Sequence, residues 1–293
     1  MPEVFAAREA ERTPLHRLPP QRAVRKLLAR QLKHAEAAGQ RLAERGDDEA
    51  LHDFRVALRR FRSIEKAHRA WLEDALPRKL RRRLKELVDA TGPARDAEVQ
   101  LQWLQAQRAA LRPAEMPGYQ WLRQRLEDRQ RQGYAAVRAG VPLRFAALGA
   151  TLRAALAMPA ESSPHSFAQA SGEQLRPLLA QLGHSFTAIG PDEDMAGVHD
   201  ARLLIKRARY LLEPVAGALA DGKELLSGLG ALQDCLGALH DAEVLGAVLA
   251  GAAADAGAER YRQSVREALE TGTVSRRRGD PLAGLIALAR RVR

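Results

Sequence analysis

Two stretches of this chain carry the same charged residues at the same spacing. LHDFRVALRRFR begins at Leu51 and VHDARLLIKRAR at Val198, 147 residues further on. His52 matches His199, Asp53 matches Asp200, Arg55 matches Arg202, Arg59 matches Lys206, Arg60 matches Arg207 and Arg62 matches Arg209. Each residue of a helix turns by about 100°, which brings His52, Arg55, Arg59, Arg62, Lys66 and Arg69 within about 100° of one another. Phe54, Ala57, Leu58, Phe61 and Ile64 fall on the opposite side, so the helix has a core face and a face of nearly one sign. The second copy repeats this with His199, Arg202, Lys206 and Arg209, and Glu213 stands where the first has Lys66. Like charges at i, i+4 repel by about 0.2–0.5 kcal/mol, so a solvated face normally mixes signs. A cationic stripe made twice suits two walls with an anion between them, and the guanidinium fork suits phosphate. The chemistry this implies is binding rather than bond making, and no catalytic residue is assigned.

The neighbouring residues carry more than one reading. Arg60 and Arg207 lie off the main face, near Asp53 and Asp200, and fit either a structural ion pair or ligand contact. His52 and His199 fit either a hydrogen bond to the anion or the orienting of a neighbouring Arg. The His-Asp dipeptides at His52, His199 and His240 raise a metal site as a further option, but adjacent helical residues point about 100° apart. No His-x3-His pair exists, and the Glu65–His68 pair is not part of the repeat. No metal or cofactor is therefore expected. Arg81 and Lys85 share a face with Arg78 and Arg82, and Arg22 and Lys26 share one with Arg25 and Lys33. These clusters extend the basic field and also fit an ordinary solvated surface. Asp96 and Asp241 each open a helix, where the helix dipole explains an acid without function, and they also fit partners that hold the basic side chains in place.

The elements that position these residues are helical. Apolar residues recur at i, i+3, i+4, and strand-type alternation is absent. Segments are expected at 21–45, 48–71, 75–91, 94–111, 115–138, 142–157, 165–183, 194–220, 222–237, 239–255 and 258–270. Asp47 and Asp194 are fair N-caps for the two repeated helices. Pro177 and Pro214 lie inside segments and predict a kink or an early end. A second matched pair, TGPARDAEV from Thr91 and LGALHDAEV from Leu236, follows in the same order. The expected organisation is a flexible arm over 1–20, a helical bundle over 21–157, a linker over 158–166 and a second bundle over 167–293. The fold class is all-α, with the two bundles related by a pseudo-twofold axis and a basic cleft between them.

Composition narrows the partners. Among 293 residues, 47 are Lys or Arg and 36 are Asp or Glu, a formal net charge of +11 that favours polyanions. Aromatic residues are only 4%, which counts against a stacking platform for single-stranded nucleic acid. The one cysteine, Cys235, excludes an internal disulfide and points to a reducing compartment. The N-terminal stretch does not read as a secretory signal. The longest weakly polar stretch, Val244 to Ala258, is too short to span a bilayer. A cytoplasmic protein with no membrane partner is expected.

The chain resembles the CHAD (conserved histidine α-helical domain) family through HDFRVALRRFR, HDARLLIKRARYLLE, GPARDAEV and LQDCLGALHDAEVL. The resemblance implies two four-helix bundles around a basic central cleft or pore. It also implies binding of inorganic polyphosphate and association with polyphosphate granules. The family's basic positions fall on His52, Arg55, Arg59, Arg60 and Arg62, and on His199, Arg202, Lys206, Arg207 and Arg209. The halves depart from each other at His240 against Arg95, at Ser63 against Tyr210, and at Gln169, Gly172 and Glu173 against Arg22, Arg25 and Lys26. Nothing here resembles the triphosphate-processing β-barrel fused to many relatives, so no hydrolase activity is expected. The competing readings are a general nucleic-acid-binding protein and a metal-dependent phosphohydrolase.

Overall fold

The computed structural model describes residues 13–43, 49–72, 75–159, 163–188 and 195–271, with side chains at 195–196, 240–243 and 260–271 left aside. The expected caps Asp47 and Asp194 lie outside the described residues, as do the side chains of His240 and Asp241. Among the described residues the fold is all-α. The helices are α1 (Pro20–Ala43), α2 (Glu49–Ala67), α3 (Arg78–Ala90), α4 (Gly92–Gln107), α5 (Met116–Ala157), α6 (Phe167–Ala188), α7 (Met195–Leu212) and α8 (Gly222–Thr271).

Local sequence explains several of the ends. Pro20 opens α1, where its missing N–H has no helical partner to lose. At the start of α6 the Gln169 amide donates to Ser166 Oγ at 3.3 Å and the Ser166 amide donates to Gln169 Oε1 at 2.9 Å, a reciprocal cap. Pro214 follows the end of α7, as expected, whereas α6 runs through Pro177 to Ala188. The segments expected at 115–138 and 142–157 form one helix, and those from 222 to 270 form another. Glycine weakens a helix by about 1 kcal/mol, and the helices continue through Gly140 and Gly237.

The chain divides into two compact units, Met1–Ala90 with Gly140–Gly237, and Thr91–Ala139 with Ala238–Arg293. Each draws on both halves of the sequence, so the units do not coincide with 21–157 and 167–293.

In the first unit α1 packs on α2, α6 packs on α7, and α2 meets α7. Phe54 and Phe61 of α2 are fully buried, and the Phe54 ring meets Phe145 edge to face at 4.9 Å. Leu175, Leu178 and Leu182 of α6 pack with Ala201, Ile205 and Leu211 of α7. Each such aliphatic or aromatic side chain contributes about 1.5–3 kcal/mol on burial. The apolar faces are thus spent on the core, and the cationic stripes are left facing away from it. The end of the expected arm is ordered: Leu18 is buried and its carbonyl accepts the Phe167 amide at 2.8 Å. Arg25 donates to the carbonyls of Met158 and Pro159 at the start of the expected linker.

In the second unit Leu101, Leu104, Tyr119, Leu122 and Leu126 pack with Leu249, Ala252 and Ala256. Gly133 is required there, because a Cβ would sit 2.8 Å from Ala94 Cα. By length and composition alone, Gly222–Glu259 of α8 is long and apolar enough to cross a membrane, at a mean hydropathy of 1.3. The weakly polar stretch from Val244 to Ala258 lies inside this segment. The same segment carries Lys223, Glu224, Asp234, Asp255 and Glu259 and gives Leu249, Ala252 and Ala256 to the core.

Candidate functional site

Within the first unit, α2, α6 and α7 line an open hollow of about 550 Å³. α2 contributes Arg59, Arg62 and Lys66, and α7 contributes Lys206 and Arg207. Asp200 is the single acid in the lining. Ser63, Gln181, Ser185 and Tyr210 add neutral polar groups, and Ala67, Leu203 and Leu204 add apolar ones. Both helices must turn their apolar stripes to the core, so their cations meet where α2 and α7 come together.

The charges there are not neutralised from within. Among the described residues Arg59, Lys66, Lys206 and Arg207 have no carboxylate partner. Lys206 shows the consequence. Its ammonium is pushed down to about 8, first by burial and then by the positive charges of Arg59 and Arg202. Arg202 belongs to this neighbourhood through that repulsion, and its buried Nε has no hydrogen-bond partner among the described residues. Arg62 reaches Asp89 only at 4.0 Å. An anion entering this space meets the exposed Arg59, Lys66 and Arg207, which have no carboxylate partner among the described residues, beside the half-buried Lys206.

The other sequence-predicted residues lie elsewhere. Arg60 points to the opposite side of α2 and forms an ion pair with Glu213, the structural alternative that its off-face position allowed. Arg209 donates to Gln233 Oε1 at 2.9 Å, and Arg55 donates to the Val88 carbonyl at 3.4 Å. His52 is half-buried and His199 exposed, and neither lines the hollow. Arg81 lies 3.7 Å from the buried Glu65 carboxylate, which also meets Arg69 at 3.5 Å. Lys85 pairs with Asp89 at 2.5 Å. Arg22 and Lys26 stand exposed on α1. The structure therefore gathers Arg59, Arg62, Lys66, Lys206 and Arg207 in one place with Arg202 beside them, and does not bring the remaining predicted residues into it.

Sequence reasoning did not find Gln181, Ser185 and Tyr210. The only signal was Tyr210 replacing Ser63 between the repeats, and Gln181 and Ser185 standing one turn apart on α6. The Glu65–His68 pair proves to be interior. His68 is fully buried and stacks on Trp71 at 5.2 Å beside Phe167. Burial lowers its imidazole to about 4; the Tyr210 main chain opposes this only in part, at a geometry too poor for a hydrogen bond. Among the described residues no three His, Cys, Asp or Glu side chains lie together as a metal-holding group.

Comparison with curated proteins gives no match. Among solved structures the chain is similar to the CHAD domain from the plant Ricinus communis, at 23% identity over 93% of each chain with a TM-score of 0.65. It is also similar to PptA from Streptomyces chartreusis, at 20% identity over 94% of this chain and 95% of that one, with a TM-score of 0.62. At these identities the likeness shows the fold. The family model of the CHAD domain matches residues 22–250, most of the sequence, and includes both copies of the repeated motif. The chain belongs to the CHAD domain family.

Proposed function

We propose that this protein is a non-catalytic binder of inorganic polyphosphate, and that the hollow between α2, α6 and α7 is where the chain is held. The observation that carries this reading is the convergence of Arg59, Lys66, Lys206 and Arg207 without a carboxylate partner among the described residues. Cations held this close without a counter-charge repel one another, and an anion relieves that repulsion. Polyphosphate carries a negative charge on every unit, so one chain meets several cations at once. Arg59, Arg62 and Arg207 supply bidentate forks for its oxygens, and Lys66 and Lys206 supply point charges. Ser63, Gln181, Ser185 and Tyr210 are placed to donate to oxygens between them. The reading extends to a cytoplasmic protein that works at polyphosphate granules.

The test is a polyphosphate titration of the full chain at rising salt. The logarithm of the affinity should fall linearly with the logarithm of salt concentration, because each neutralised phosphate releases bound counterions. In competition, polyphosphate should displace DNA or RNA at a much lower phosphate concentration than the reverse. Equal displacement by nucleic acid would replace this reading with a general nucleic-acid-binding one.

A further inference from the structure

The first unit holds a second hollow, of about 710 Å³, between α1, α2 and the residues that follow α7. Its lining repeats that of the cationic hollow at an offset of 147 residues. Asp53, Val56 and Arg60 line it where Asp200, Leu203 and Arg207 line the first. His34 of α1 stands where Gln181 of α6 stands, and Tyr210 borders both spaces. The linings differ in their cations: the counterparts of Arg59, Arg62 and Lys206 do not line the second hollow, which has Arg30 and Arg41 instead, and a carboxylate replaces an ammonium at one shared position. Lys66 lines the cationic hollow, and its repeat counterpart Glu213 lines the second.

The exchange lowers the positive charge, since Arg30, Arg41 and Arg60 share the second hollow with Asp53 and Glu213. In the cationic hollow, Arg207 and Lys66 are two cations without a carboxylate partner among the described residues. In the second, the same two positions hold Arg60 and Glu213, and these form an ion pair. Asp53 meets Arg41 there at 2.7 Å. An incoming anion would have to displace carboxylates already tethered beside their cations, and a tethered competitor acts at a high effective concentration. We infer that Glu213 closes this second hollow to polyanions, so that the unit presents one polyphosphate site and one silenced copy of it. This rests on the polyphosphate reading of the cationic hollow. Glu213 is then a specificity-determining residue, and restoring the cation of the other copy should reopen the site.

The experiment uses the full chain and tripolyphosphate, followed by calorimetric titration. Wild type should bind one equivalent, and Glu213→Lys should bind two. With the cationic hollow disabled by Arg59→Ala and Lys206→Ala, binding should be lost, and adding Glu213→Lys should recover affinity at least tenfold. Adding Arg60→Ala should remove that recovery, and Glu224→Lys, the same charge change on the exposed start of α8, should not produce it. If Glu213→Lys unfolds the chain by circular dichroism, Glu213→Gln, which frees Arg60 without adding charge, should give about a threefold gain in the same background. The inference is overturned if wild type binds and the double variant loses binding, yet neither Glu213 substitution restores it. It is equally overturned if the gain survives Arg60→Ala or is matched by Glu224→Lys. Absence of wild-type binding, or binding that survives the double substitution, instead strikes the reading of the cationic hollow and the inference falls with it.

Discussion

Arg59 and Lys206 occupy the same position in the two copies of the repeated motif, and both face one hollow, where the guanidinium of the first weakens the hold of the second on its proton. Duplication has thus set a cation against its own counterpart. Such an arrangement costs the empty protein some stability and repays it when an anion lies between the two.

That cost is measurable. Arg59→Gln removes one member of the opposed pair while leaving the core face of α2 untouched. The substituted protein should melt no lower than wild type at low salt, and its polyphosphate affinity should fall about tenfold, which corresponds to about 1.4 kcal/mol. Thermal unfolding by circular dichroism alongside a polyphosphate titration checks both halves. A variant that loses stability as well as binding would mean that Arg59 is structural.

Lys206 makes binding depend on pH. Its proton leaves at about 8 in the folded protein, against 10.5 for an ordinary lysine. Below about 8 it is charged and attracts phosphate; as pH rises through that value the charge and the attraction are lost. For folding, the sign is opposite. Between about 8 and 10.5 the unfolded chain holds this proton and the folded chain does not, so this residue's contribution to stability improves with pH. Polyphosphate affinity should therefore fall between about pH 7 and pH 9, and Lys206→Arg, which stays charged, should flatten the profile. A fall of the same size in the Arg variant would assign the pH dependence to another group.

His68 governs behaviour in acid. The folded chain keeps the imidazole neutral down to about 4, whereas the unfolded chain protonates it near the ordinary 6.5. Its contribution is whole above pH 6.5 and is lost as pH falls through about 4. The full loss is on the order of 3 kcal/mol. Denaturant unfolding across this range should show the decline, and His68→Phe, which fits the Trp71 and Phe167 stack, should remove most of it.

In the second unit, Gly133→Ala drives a Cβ into the main chain of Ala94, which cannot yield like a flexible side chain. A destabilisation of about 1–3 kcal/mol is expected. Chemical denaturation measures it, and Gly140→Ala, where space is open, serves as the neutral comparison.

The legible parts of this molecule were those set by helical period. The alternation of Phe54, Leu58 and Phe61 with Arg55, Arg59 and Arg62 fixes α2, its buried face and its cationic face. The repeat at Val198 fixes the same for α7. What period does not give is which helix meets which. The partner of Arg60 lies 153 residues away at Glu213, and no local pattern announces it. Gln181 and Ser185 enter the hollow only because α6 packs on α7. Local signals also misled: segments were expected to end at 138 and 237, yet the helices run on through Gly140 and Gly237. Arg81 read as part of the basic field, and its nearest acid is the buried Glu65.

The most direct test of the shared hollow is a double-mutant cycle on polyphosphate affinity with Arg59→Ala and Lys206→Ala in the full chain. If both side chains hold one anion, each single substitution should weaken binding about tenfold or more, and the double should lose clearly less than the two losses combined. Affinity unchanged in the double variant, or two losses that add without coupling, would contradict a single polyphosphate chain held between the repeated helices.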